Sequence, residues 1–196
     1  MGLYAQGVKS GRFSGLLDYA NNAKETLPLS TSTDDKLLSL KYLLQLFRER
    51  EFAMIQELAG NLQKRRQSGQ SEWDAFNAEL VLAKDLALAH NDRIVHELFS
   101  QSSQICSFAN TGVLTLLAQL NGLTAIKDNL GWFVANEVLP ASAAKRVEPL
   151  IIDLSREVCK YSLDIVEAFQ IPAKLLPPAD LSNYTVPANH DYKFSQ

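Results

Sequence analysis

A chain of 196 residues, 46% hydrophobic and 21% charged, is long enough to bury a sizeable core as one domain. Its formal charge of -3 gives no basic footprint for phosphates, which argues against nucleic acid as a partner. Cys106 and Cys159 lie far apart, with no CxxC pairing and no histidine beside either; neither a disulfide framework nor a zinc site follows, and both are expected to be small buried apolar residues.

In chain order, residues 1–33 combine several glycines with Pro28 and the polar run STST, a composition that predicts an irregular connector with at most one short helical piece around Leu16 to Glu25. The opening has no basic and then apolar leader, and no apolar run approaches the ~20 residues that cross a bilayer, so a soluble, unsecreted chain is expected. From Thr33, an N-cap candidate followed by Asp34 and Asp35, the chain runs to Lys64, Arg65 and Arg66 before Gly69. Acids at the start and bases at the end suit the helix dipole. Leu40, Leu43, Leu44, Phe47, Met54, Ile55, Leu58 and Leu62 recur at helical spacing, so one long helix is expected.

A second long helix is predicted from SEWD, where Ser71 caps and Asp74 sits three residues on as in a capping box. Its expected core face is Trp73, Phe76, Leu80, Leu86, Ile94, Val95, Leu98 and Phe99, with no Pro or Gly to interrupt it. NTG at 110–112 breaks the chain, and Leu117, Leu120, Leu123, Ile126 and Leu130 mark a third helix. Gly122 and Gly131 inside it each cost about 1 kcal/mol against Ala, so each calls for a packing reason. NEVLP then turns the chain, with Pro140 expected at the first position of a fourth helix that runs to Phe169 and is bent or restarted at Pro149. Pro172, Pro177, Pro178 and Pro187 break up an apolar, aromatic tail that is expected to lie extended against a surface. No segment alternates with a two-residue period. The expected fold is all-α: an up-and-down antiparallel bundle of four long helices, with an irregular N-terminal connector and an extended Pro-rich C-terminal tail.

A helical bundle invites a search for metal chemistry. No Glu is followed three residues later by His, which removes the di-iron pattern. His90 and His96 are six apart, on nearly opposite faces of a helix, so they do not share a metal there; His90 reads as a packed or capping histidine before it reads as an acid or base. The RERE run at 48–51 reads as a solvated face. GxGxxG, GxxxxGK[ST] and GxSxG are all absent, and no catalytic or metal-binding set is expected.

The stretch LGWFVANEVLPASAAKRVEPLIIDLSREVCKYSLDIVEAFQIPAKLLPPADLSNY resembles the C-terminal helical domain of acyl-CoA oxidases. The likeness is carried by the aromatic helix end Gly131, Trp132 and Phe133, by the polar elbow with its Leu-Pro, and by the box Val166, Glu167, Ala168, Phe169, Gln170, Ile171 and Pro172. FNAELVLAKDLALAHNDRIVHELF is similar to the preceding helix, through the step Ala87, Leu88, Ala89 and His90. The likeness covers about Leu37 to Phe194 and is best from Gly131 onward.

The resemblance implies an all-helical piece of an enzyme that uses FAD to dehydrogenate an acyl-CoA and passes the electrons to O2. The catalytic carboxylate and most of the flavin site lie in preceding domains that have no counterpart here, so no residue of this chain is assigned as catalytic. Domain divisions follow as a connector at 1–33, a helical bundle at 34–171 and a tail at 172–196 that covers a neighbouring domain or subunit. Gly131, Trp132, Phe133, Phe169, Pro172 and Tyr184 are the expected structural or interface residues. The implied partners are the missing N-terminal oxidase domains, a second subunit of a homodimer, and acyl-CoA. A peroxisome is the implied compartment in a eukaryote and the cytoplasm in a bacterium, although the final FSQ is no address of the Ser-Lys-Leu type. The alternative is a non-enzymatic helical module that docks on a partner protein.

Overall fold

The computed structural model describes residues 34–105 and 111–172. The predicted connector at 1–33, the N-cap Thr33, Cys106, Tyr184 and nearly all of the predicted tail lie outside the described residues. The chain divides between Lys160 and Tyr161 into two compact units. Every described element is helical: α1 (Asp34–Leu37), α2 (Leu40–Gln67), α3 (Glu72–Ala78), α4 (Leu80–Ile105), α5 (Thr111–Asp128), α6 (Leu130–Ala135) and α7 (Ala141–Cys159) in the first unit, and α8 (Ser162–Ala168) in the second.

Each of the four predicted long helices is therefore one long piece and one short piece, and local chemistry explains the breaks. Ser39 sits in extended backbone and its hydroxyl accepts from the Tyr42 N–H, so α2 restarts at Leu40 instead of continuing from Asp34. Ser71 caps α3 by accepting from the Asp74 N–H at 3.1 Å and donates its own hydroxyl to the Asp74 carboxylate at 2.6 Å, a variant of the predicted capping box. Glu79 breaks α3 from α4 while its carboxylate accepts from Arg65 at 2.6 Å and Asn61 at 3.0 Å on α2. Asn129 breaks α5 from α6, accepting from Arg50 at 2.7 Å and donating to the Ala125 carbonyl at 2.8 Å.

Pro140 is the N-cap of α7, one residue before its predicted place, and α7 continues through Pro149. Thr111 and Gly112, part of the predicted break, are already in α5. Asp34 does more than meet the helix dipole: Arg146 of α7 grips its carboxylate with two hydrogen bonds of 3.0 and 2.6 Å.

α2 and α6 end in the same way with different residues. After α2, Gly69 takes φ +89°, its N–H bonds to the Arg66 carbonyl, and the Gln70 N–H returns to the Arg65 carbonyl. After α6 the same pair of bonds recurs, Glu137 to Val134 and Val138 to Phe133, but the left-handed position at φ +56° is held by Glu137. This is the Schellman arrangement, and it explains the LGWFVANEVLP elbow: Val138 is folded back on Phe133 as the motif requires.

The helices α2, α4, α5 and α7 pack in sequence-neighbour fashion: α2 on α4, α4 on α5, α5 on α7, with α2 also touching α5 and α1 lying on α7. The core joins Leu37, Leu43, Leu46 and Phe47 to Leu123 and Ile126 of α5, Phe133 of α6, and Leu139, Ala143, Val147, Leu150 and Leu154. The predicted stripe of α2 is largely inside, with Leu43, Phe47, Met54, Ile55 and Leu58 buried.

The predicted core face of the second helix is only partly inside: Phe76, Leu86, Ile94 and Phe99 are half-buried, and the other four are not. Trp73 is 72% exposed, and Leu80, Val95 and Leu98 are also exposed. The residues of α4 that are buried are Ala89, Arg93, His96 and Ser100. Cys159 is exposed as well, not buried as expected, because it lies at the end of α7 beyond the face that carries Val147, Leu150 and Leu154 inward.

Candidate functional site

The inward face of α4 meets α2 through a layer of charge. Arg48, Arg50 and Glu51, three members of the RERE run expected to be solvated, lie at this contact. Arg50 and Glu51 are buried, and so is Arg93 of α4, at 1% exposure. Helical spacing brings them there: Glu51 falls four residues after Phe47 and three before Met54, on the stripe that faces α4.

Around Glu51 the bonds close into a network. Arg93 Nε donates to one carboxylate oxygen, and His90 Nδ1 lies 2.5 Å from the other. An ionised carboxylate only accepts, so Nδ1 carries the proton and Nε2 of the half-buried His90 is directed away from Glu51. Arg93 Nη1 reaches Glu97 at 2.6 Å, which also accepts from Arg48 at 2.6 Å. Arg50 Nη1 donates to Asp92 at 3.0 Å and Nη2 to Asn129 at 2.7 Å. Burial raises the Asp92 carboxyl above its ordinary value, against the opposing pull of Arg50. Three guanidinium groups thus face three carboxylates, so the layer is neutral before His90 is counted. A neutral, geometrically paired layer fixes how α2 and α4 register; its carboxylates are occupied and unavailable as bases toward a substrate.

His96, about one and two-thirds turns beyond His90, is fully buried. Its Nε2 donates to the Leu40 carbonyl at 3.1 Å, its ring lies 5.2 Å from that of Phe47, and Nδ1 has no hydrogen-bond partner among the described residues. Burial holds its pKa below the ordinary histidine value. The two histidines are not on nearly opposite faces. Six residues at 100° each leave them about 120° apart, and both reach α2. Gly122 supplies the packing reason sought for it: a Cβ there would come within 2.8 Å of His96 Cε1 and 2.9 Å of Leu43 Cδ1. Gly131 has open space around the same position and no such reason.

Of the expected interface residues, the structure joins Trp132 and Phe133, whose rings meet edge to face at 5.5 Å. Phe133 is fully buried and anchors the elbow, while Trp132 is only partly buried at the edge of the core. Gly131 is exposed. In the second unit Phe169 caps α8 and is exposed, as is Pro172.

The pyrophosphate of a flavin dinucleotide binds cations or a cradle of N–H groups, and Arg50 and Arg93 are turned inward onto carboxylates, away from any such ligand. A shallow groove of about 250 Å³ is lined by Leu38, Leu150, Leu154 and Arg156 with Asp153 and Glu157; Arg156 is paired with Asp153 at 3.1 Å and Glu157 with Lys160 at 2.7 Å. Among the described residues no cluster of His, Cys, Asp or Glu could hold a metal ion, and no helix is long and apolar enough to cross a membrane.

Comparison with known proteins places this geometry. The model of the acyl-CoA oxidase family matches residues 39–178. A curated relative, the peroxisomal acyl-coenzyme A oxidase 1 of Phascolarctos cinereus, is 30% identical over 172 residues, which are 83% of this chain and 26% of the relative. Acyl-CoA oxidase 1 of Yarrowia lipolytica superposes with a TM-score of 0.79 at 20% identity, over 87% of this chain and 25% of that one. Acyl-CoA oxidase 1 of Arabidopsis thaliana gives 0.76 at 20% identity, over 85% and 26%. The chain therefore spans about a quarter of the length of the proteins it matches. It belongs to the acyl-CoA oxidase family, as the family's C-terminal helical domain.

Proposed function

We propose that the chain serves as the C-terminal helical portion of a flavin-dependent acyl-CoA oxidase and is catalytically incomplete alone. The reaction of such an enzyme converts acyl-CoA and O2 to 2-trans-enoyl-CoA and H2O2, a step of fatty-acid β-oxidation. FAD, bound mostly outside this chain, accepts the two hydrogens and is reoxidised by oxygen. The contribution of this chain is mechanical: the four long helical segments form an up-and-down antiparallel bundle, locked by the neutral charge layer, that packs on the other oxidase domains and contributes to a homodimer. Gly131, Trp132 and Phe133 shape one corner of the bundle, and Phe169, Pro172 and Tyr184 belong to the region that covers a neighbouring domain or subunit. A peroxisomal location fits the name of the curated relative.

The observation that carries this reading is the family match over residues 39–178 combined with coverage of only a quarter of each relative. The occupied state of Glu51, Asp92 and Glu97 supports a packing role over a catalytic one. The test is a chimera in which this chain replaces the matching quarter of the Phascolarctos cinereus relative. Bound yellow flavin and acyl-CoA-dependent peroxide are expected from the chimera, and neither from the chain alone. A chimera that folds but binds no flavin and forms no peroxide would refute the reading and favour a non-enzymatic docking module.

A further inference from the structure

Of the described residues of α4 that are buried, Arg93, His96 and Ser100 are charged or polar and Ala89 is apolar; Leu82, Leu86, Ile94 and Phe99 are half-buried, and five larger apolar residues are exposed. Val81, Leu88 and Val95 recur every seven residues and are 71%, 53% and 43% exposed, with Leu80 and Leu98 exposed beside them. At about 100° per residue these five fall within a stripe roughly 100° wide, on the side away from Arg93 and His96. The charge within the stripe is Lys84, and its ammonium is paired with Asp85 at 3.0 Å. A seven-residue apolar repeat is the spacing at which one helix seats its side chains between those of another.

We infer that this stripe of α4 is the docking face for the rest of the oxidase polypeptide, through an uncharged apolar helical surface of that larger part. The inference rests on the reading of the chain as part of a longer oxidase and adds which face is covered. Two observations choose the occupant. The chain spans about a quarter of its relatives, so three quarters of such an enzyme lies outside it. The stripe from Leu80 to Ser102 is ~33 Å long and ~10 Å wide, and covering it would bury on the order of 700 Å² in total. That area matches the ~600–1,500 Å² of contacts between domains of one chain and falls short of the ~2,000 Å² typical of obligate homodimers. A helix with buried charge on one side and a stripe on the other that is apolar apart from the paired Lys84 belongs in the middle of a larger assembly.

The test uses the paired substitution Leu88→Arg and Val95→Arg in two settings. In the isolated chain both positions already face water, so helical circular dichroism and the melting temperature should be unchanged, with the chain monomeric before and after. In the chimera with the Phascolarctos cinereus relative, the unsubstituted protein should melt in one transition. The double variant should melt in two, one of them at the temperature of the isolated chain. A double variant that still melts as one unit would remove α4 from the interface. An isolated chain that sediments as a dimer and is split by the arginines would show a second copy on the stripe, and overturn the occupant named here. An unsubstituted chimera that never melts as one unit would instead sink the oxidase reading on which the inference stands.

Discussion

Gly122→Ala isolates the contact between α5 and the buried histidine of α4. In an open helical position, replacing Gly by Ala stabilises by about 1 kcal/mol. Here the new methyl would sit 2.8 Å from His96 Cε1, 2.9 Å from His96 Nδ1 and 2.9 Å from Leu43 Cδ1. The ring has little room to yield: it is fully buried, tilted against the Phe47 ring at 5.2 Å and tied through Nε2 to the Leu40 carbonyl at 3.1 Å. Overpacking of this kind costs about 1–3 kcal/mol, and a lost buried hydrogen bond about 1 kcal/mol more. Net destabilisation of about 1–3 kcal/mol is expected, read as a lower urea midpoint by circular dichroism at 222 nm. Gly60→Ala is the internal control, since nothing lies within 4 Å of its Cβ position in the middle of α2; it should raise the midpoint. If Gly122→Ala raised the midpoint as Gly60→Ala does, the tight approach of α5 to His96 would be wrong.

The elbow after α6 should respond to the left-handed Glu137: Glu137→Gly relieves a conformation that costs a side chain about 1 kcal/mol and should stabilise by a similar amount in the same urea assay. Phe133→Ala should cost about 3–5 kcal/mol, and Trp132→Ala clearly less, because only Phe133 is fully enclosed; equal losses would contradict the burial described. Glu51→Ala leaves Arg93 buried opposite an empty site and should cost about 3 kcal/mol or more, whereas Glu51→Leu with Arg93→Met should cost less than the single change, since Glu97 keeps Arg48. For pH, burial puts the folded pKa of His96 below its ordinary 6.5, so the unfolded chain binds the extra proton. The stability held by neutral His96 is complete above pH 6.5 and declines as pH falls below it, by at most about 1.4 kcal/mol per unit. Glu79, held low by Arg65 and Asn61, acts in a separate window below pH 4.5. His96→Gln should flatten the slope between pH 6.5 and 5, and an unchanged slope would assign it to another group.

Much of the fold could be read from periodicity and punctuation. Gly69 after a basic last turn marked the end of α2, and Ser71 before Asp74 marked the start of α3. The breaks at Ser39, Glu79 and Asn129 were hidden because each depends on a bond made locally or across the bundle, such as Arg50 to Asn129. Glu137 carries no sign of its left-handed backbone, which the return bonds from its own N–H to Val134 and from the Val138 N–H to Phe133 hold in place.

α4 was misread for a more general reason. Apolar periodicity shows that a helix has an apolar face; it does not show whether that face meets this chain or another part of a larger protein. The missed signal was on α2, where Arg50 and Glu51 interrupt the stripe of Phe47, Met54 and Ile55 and demand charged partners, which Arg93 and Asp92 of α4 provide. The family was legible from the order of motifs around Gly131 and Phe169, although most of those residues are packing or surface positions.

The central claim is that α4 is built to be covered on both sides. The direct measurement is the thiol-labelling rate of Val95→Cys, with Cys106 and Cys159 changed to Ser, in the isolated chain and in the oxidase chimera. Labelling near the rate of a free thiol in the isolated chain, suppressed at least tenfold in the folded chimera, is the predicted result. Equal rates in the two would contradict the account.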